Sequence, residues 1–123
     1  MKFLSLFFVS IAFVACRQGT LRHNRFLKNN TATDTIFVNN PDFDNAKDTL
    51  FPGDTALIYS YEILDTRQEY EACKWMGDTL IVTNQEGNPL TRSVKIESFW
   101  TYTIRGDFER EQDCTFIIST GDF

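Results

Sequence analysis

Hydrophobic and polar positions along this chain are spaced for short strands rather than helices. Residues 34–38 (Asp-Thr-Ile-Phe-Val) are rich in β-formers and run into the turn cluster Asn39-Asn40-Pro41-Asp42. Residues 48–51 are a short candidate strand stopped by Pro52-Gly53-Asp54, and residues 55–64 form a longer run rich in Ile, Tyr and Leu. Residues 79–83 (Thr-Leu-Ile-Val-Thr) end in a second polar cluster through Pro89. The clearest alternation spans residues 93–105. Val94, Ile96, Trp100, Tyr102 and Ile104 fall on one face, with Lys95, Glu97, Thr101, Thr103 and Arg105 on the other. That is period two, the signature of a strand covered on one side, and the adjacent Ser98 and Phe99 predict a bulge at its middle. Residues 114–119 supply a last strand. Residues 68–76 fit either a short helix or a loop, with Tyr70, Cys73 and Met76 on one face. Strands at roughly ten-residue spacing predict an all-β fold, an antiparallel β-sandwich, immunoglobulin-like in broad class.

The first residues read differently. Met1-Lys2 is followed by an apolar run over residues 3–14, broken only by Ser5 and Ser10. It has the length of a signal-peptide core and falls short of the roughly 20 residues that span a bilayer. It ends in Phe13-Val14-Ala15-Cys16. This tetrad resembles the lipobox of bacterial lipoproteins, with Phe where Leu is common. The resemblance implies cleavage before Cys16 and lipidation of that residue through a diacylglyceryl thioether and an acylated amine. Two or more acyl chains anchor stably, so the membrane lipid becomes a partner through Cys16.

Charge divides the remainder. Arg17, Arg22, Arg25 and Lys28 occur with no acid among them, whereas residues 29–123 hold seven basic and seventeen acidic side chains, a net of −10. The reading is a signal peptide over 1–15, a lipidated Cys and flexible basic tether over 16–32, and a sandwich domain over 33–123. With 123 residues and a net charge of −5, the chain has room for one domain and lacks the basic footprint of a nucleic-acid binder.

Once Cys16 is lipidated, Cys73 and Cys114 remain, an even pair in an oxidising compartment, and they are expected to form a disulfide. No His neighbours either one and no Cys-x-x-Cys occurs, which argues against a metal site.

Other candidates for chemistry are sparse. His23, the single His, falls in the tether, where a catalytic base would lack fixed geometry. Glu109, Glu111 and Asp113 alternate as three carboxylates on one strand face, an arrangement that serves acid–base chemistry only when surroundings separate the pKa values. Asp42, Asp44, Asn45 and Asp48 form an oxygen-rich loop without the order of a calcium-binding loop. No phosphate-binding Gly loop or nucleophile elbow is present, so no cofactor, metal or enzymatic activity is expected. Trp75, Trp100, Tyr59, Tyr61, Tyr70 and Tyr102 raise glycan binding, with Trp75 the expected exposed ring and Trp100 and Tyr102 in the core.

Asp34-Thr35-Ile36, Asp48-Thr49-Leu50, Asp54-Thr55-Ala56 and Asp78-Thr79-Leu80 repeat Asp-Thr-apolar. They resemble the O-glycosylation acceptor pattern of Bacteroidota envelope proteins, which makes Thr35, Thr49, Thr55 and Thr79 candidate acceptors. The same triplet also closes a turn and opens a strand. Over most of its length the chain resembles small β-rich lipoproteins of the Bacteroidota, on the lipobox, the polar tether, the Pro-Gly-Asp turn and Asp78–Val82 followed by Asn-x-x-Gly. The resemblance implies an outer-membrane lipoprotein. Because Arg17-Gln18-Gly19-Thr20 is not the acidic run of surface-exported relatives, a periplasm-facing position is expected. The expected role is a non-enzymatic binding or accessory module with a protein partner. The alternatives are an immunity protein that neutralises a periplasmic toxin and a glycan-binding lipoprotein.

Overall fold

The computed structural model describes residues 19–64 and 72–123. The predicted signal peptide, Cys16 and residues 68–71 of the ambiguous 68–76 segment lie outside the described residues. Within them, seven strands run in chain order: β1 Thr20–Asn29, β2 Ile36–Asn40, β3 Ala46–Leu50, β4 Thr55–Leu64, β5 Ile81–Asn84, β6 Trp100–Arg105 and β7 Glu109–Ile118. They form a four-stranded sheet ordered β4-β1-β7-β6 and a three-stranded sheet ordered β3-β2-β5. The protein is an all-β sandwich. A four-plus-three count matches a constant-type immunoglobulin domain, but the strand order differs from that domain's.

The expected tether is corrected by β1. Thr20–Asn29 is an inner strand of the larger sheet, antiparallel to β4 and parallel to β7 from Thr20↔Glu109 to Asn29↔Ile118. The domain therefore includes residues 20–32, and the sheet is not wholly antiparallel. Leu21, His23, Arg25, Leu27 and Asn29 alternate inward and are buried. Three of those five are polar or charged, which conceals a strand whose period is nonetheless two.

Other boundaries shift for identifiable reasons. The long strand expected over 93–105 begins only at Trp100. Before it, the Ser93 hydroxyl accepts the Lys95 N–H, the Ile96 N–H reaches the Ser93 carbonyl, and Glu97–Phe99 forms a 3₁₀ turn. These local bonds draw the backbone out of the sheet. Tyr102, expected in the core, is 59% exposed on the edge strand β6. Conversely the last strand extends back to Glu109. Residues 72–77, with no helix or strand, cross the inner face of the larger sheet as a strap.

Leu27, Ala56, Ile58, Trp100, Phe116 and Ile118 of the large sheet meet Ile36, Val38, Leu50 and Val82 of the small one, with Cys73 and Trp75 from the strap. Burial of such side chains drives the fold at about 25 cal/mol per Å² of apolar surface. Buried amides tie the layers where strands end. The Asn29 amide donates to the carbonyls of Asp34 (2.8 Å) and Leu50 (2.9 Å), while its oxygen accepts from Thr31. Asn40 donates to the Ile58 carbonyl at 2.8 Å. At the C-terminus Arg92 grips Asp122 through Nε (2.9 Å) and Nη2 (2.7 Å) and lies over the rings of Phe99 and Phe116. Burial pushes the Asp122 carboxyl up, but bonds from Arg92 and the Ser119 N–H outweigh it and hold the group below the usual range.

Cys73 and Cys114 are joined, with Cα atoms 5.5 Å apart and a sequence separation of 41. On the chain-entropy account a loop of this length stabilises the fold by about 4 kcal/mol. Replacing both cysteines by Ala should lower Tm by at least about 15 °C for a domain of this size. Calorimetry of the oxidised protein and the double variant checks this, and equal Tm values would contradict it.

Candidate functional site

The inner face of the larger sheet is apolar toward Phe116 and Ile118 and polar toward the other end. Cross-strand pairing sets Arg25 beside Tyr59 and Cys114, and His23 beside Tyr61 and Gln112. A register shift between Arg25 and Phe26 supplies the aromatics. Arg25 pairs with Tyr59 and Phe26 with Leu57, leaving Ile58 as the extra residue of a bulge. Ile58 enters the core, and the alternation resumes with Tyr59 and Tyr61 on the inner side.

The strap forms the facing wall. Cys73 binds it to β7, and Arg25, only 2% exposed, donates Nε to the Lys74 carbonyl and Nη2 to the Ala72 carbonyl, both at 3.3 Å. The Trp75 N–H reaches the Val94 carbonyl at 2.8 Å. Between sheet and strap lies a groove of about 460 Å³ lined by Arg25, Asp42, Tyr59, Tyr61, Lys74, Trp75, Met76 and Gly77.

Its aromatic rings form a corner. Tyr59 and Trp75 stand nearly perpendicular, 84° between planes with centroids 6.1 Å apart. Tyr61 lies 5.4 Å from Tyr59 and stacks on His23 at 4.7 Å. The His23 Nδ1–H donates to Gln112 Oε1 at 2.7 Å, and the Gln112 amide approaches Cys73 Sγ at 3.6 Å. His23 is 1% exposed, which corrects its placement in a flexible tether, and its Nε2 has no hydrogen-bond partner among the described residues. It fixes the Tyr61 ring from behind.

Asp42 closes the far side. One carboxylate oxygen accepts the Thr79 hydroxyl (2.6 Å), and the other accepts the Thr79 N–H (3.0 Å) and the Trp75 indole N–H (3.3 Å). The Thr79 hydroxyl, then its N–H, outweigh desolvation and hold the carboxyl below the usual range, with Trp75 and the Asp78 N–H adding to the effect. Asp42 thus orients Trp75 rather than belonging to a cation loop, and Asp44 and Asn45 take positive φ in the turn beyond it. Gly77 permits the close approach, because a Cβ there would overlap the Asp42 carboxylate and crowd Trp75 Nε1.

The other expected residues are dispersed. Trp75, expected exposed, is buried with its indole edge on the groove. Glu111 and Asp113 point outward and are ion-paired. Glu111 meets Arg22 (3.8 Å) and Arg105, while Asp113 meets Arg105 (3.0 Å) and Asn24 (2.8 Å). Thr49 and Thr55 are exposed on edge strands β3 and β4, Thr35 is half-buried with its N–H on Gln85, and the Thr79 hydroxyl is held by Asp42. Among the described residues no three His, Cys, Asp or Glu side chains converge as a metal site. Sequence reasoning missed Arg25, Tyr59 and Tyr61 as neighbours. The inward alternation Leu21, His23, Arg25, Leu27 was the available signal.

A carboxylate with a depressed pKa stabilises its surroundings above the unfolded value, about 3.9, and loses that contribution as pH falls through the folded value. The strap should therefore loosen below about pH 4, seen as a change in tryptophan fluorescence. Asp42→Asn should remove that acid step while leaving the Trp100 environment intact. An unchanged acid titration in Asp42→Asn would contradict the assignment.

Compared with protein-family models, curated proteins and solved structures, the chain matches none, so the groove stands on the chemistry of its own side chains.

Proposed function

We propose that this protein is a lipid-anchored, non-enzymatic binding or accessory module of the cell envelope, with the Tyr59–Tyr61–Trp75 groove as its recognition surface. The observation that carries the reading is the groove itself. It brings three aromatic rings, two cations and one carboxylate into a cleft of about 460 Å³, within the span of small-ligand sites. Its walls are fixed by a disulfide, a buried guanidinium and a buried imidazole. Such preorganisation favours binding, because few groups must be ordered when a ligand enters.

Two features support the envelope address. The apolar run over 3–14 ends in Phe13-Val14-Ala15-Cys16, and a disulfide bond fits an oxidising compartment. Acyl chains on Cys16 would hold the domain at the outer membrane, facing the periplasm. The acidic body favours a basic surface on a protein partner. The aromatic corner favours a second reading in which the ligand is a glycan.

Full-length protein carrying a photo-crosslinker in place of Met76, a groove residue 74% exposed, tests recognition in intact cells. Discrete adducts should form there and not from the same group at Thr101, exposed on β6. Identical patterns from both positions, or none from Met76, would contradict the reading. Cys16→Ser should move the protein from the membrane to the soluble fraction, and retention in the membrane would contradict the lipid anchor.

A further inference from the structure

We propose that the groove takes an acidic carbohydrate, with a pyranose face against the aromatic corner and the sugar carboxylate on Lys74. This rests on the groove being a recognition surface and names its ligand class.

The aromatic geometry suits a flat ring with C–H groups on its face. Tyr59 and Trp75 meet at 84°, so a ligand that lies along one ring abuts the other. The π-face is negative and attracts the weakly positive C–H edge of a saturated ring. Tyr61 is held by His23 stacked on one side, and so extends the platform without reorganising.

Charge sets the sign of the ligand. An aromatic corner alone would attract a cation. Here Arg25 and Lys74 line the same cleft and oppose one. Both oxygens of Asp42, the one carboxylate among the described lining residues, already accept bonds from Thr79 and Trp75. Arg25 turns Nε and Nη2 to the carbonyls of Ala72 and Lys74, which makes it a builder of the wall. Lys74 lines the groove, is half-buried as a residue, and forms no ion pair among the described residues. In a chain of net charge −5, the described lining sets two cations against one carboxylate, a balance that favours an anion. A neutral glycan would leave Lys74 unused, and a simple anion would leave the rings unused. A sugar acid uses both. Met76 at the rim is flexible and polarizable, which fits a lip that accommodates neighbouring sugar units.

Calorimetric titration of the full-length protein with trigalacturonate and with its methyl ester tests the assignment, since esterification removes the charge and keeps the ring. The acid should bind about tenfold more tightly at low salt, the scale of one charge-assisted hydrogen bond. Added salt should close the gap. Lys74→Met should bring the acid down to the affinity of the ester with Tm unchanged, and Tyr61→Ala should weaken both. Equal affinity for acid and ester, or no binding of trigalacturonate, would overturn the proposal. In either case, adducts from the crosslinker at Met76 would leave the recognition surface standing and remove only the ligand class.

Discussion

The parallel ladder between Thr20–Asn29 and Glu109–Ile118 closes the larger sheet by joining the two ends of the folded domain. β1 is hydrogen-bonded on both sides, to β4 and to β7, so those strands share a sheet only through it. Its pairing is almost entirely non-local, and the entropy of closing that loop must be recovered from contacts that form together. The inward side of the ladder sets the interior. Leu27, Phe116 and Ile118 seed the apolar half, while His23, Arg25 and Gln112 occupy the other. The polar residues on the outer side form a charge network, Glu62–Arg22–Glu111–Arg105–Asp113, that keeps this face solvated. Exposed ion pairs of this kind contribute little stability singly and act here by keeping register and solubility.

The groove follows from burying a polar row. A guanidinium cannot be left in an apolar interior without acceptors. Arg25 finds them in the strap backbone, and Cys114, its neighbour in register on β7, binds the strap covalently through Cys73. The strap thereby brings Trp75 against the sheet, and Asp42, Thr79 and Gly77 fix its indole. One bulge in β4 turns both Ile58 and Tyr59 inward, so the strand serves the core and the groove at once. The groove and the fold therefore share residues, which fixes the groove walls as the proposed recognition requires.

Much of the fold was legible in the sequence, because most strands carry apolar residues at alternate positions between turn signals. Ile36 and Val38, Ala56 and Ile58, and Cys114, Phe116 and Ile118 are of this kind. The disulfide followed from compartment and parity. β1 was hidden, because its inward positions hold His23, Arg25 and Asn29 and its lack of acids imitates a basic linker. The parallel pairing was hidden too, since it joins segments about ninety residues apart and leaves no local trace. Ser93 and the turn at Ile96 misled in the opposite direction, giving a period of two where local hydrogen bonds break the strand. Of the groove, each aromatic was visible singly, but their convergence depends on a bulge and a strap that periodicity does not report.

Backbone hydrogen exchange in β1 tests the central claim most directly, because protection measures the free energy of opening residue by residue. The account predicts that amides of β1 exchange as slowly as those of β7 and open together with it. Rapid exchange over residues 21–29 beside a protected β7 would show a tether after all, and would remove both the sheet and the groove described here.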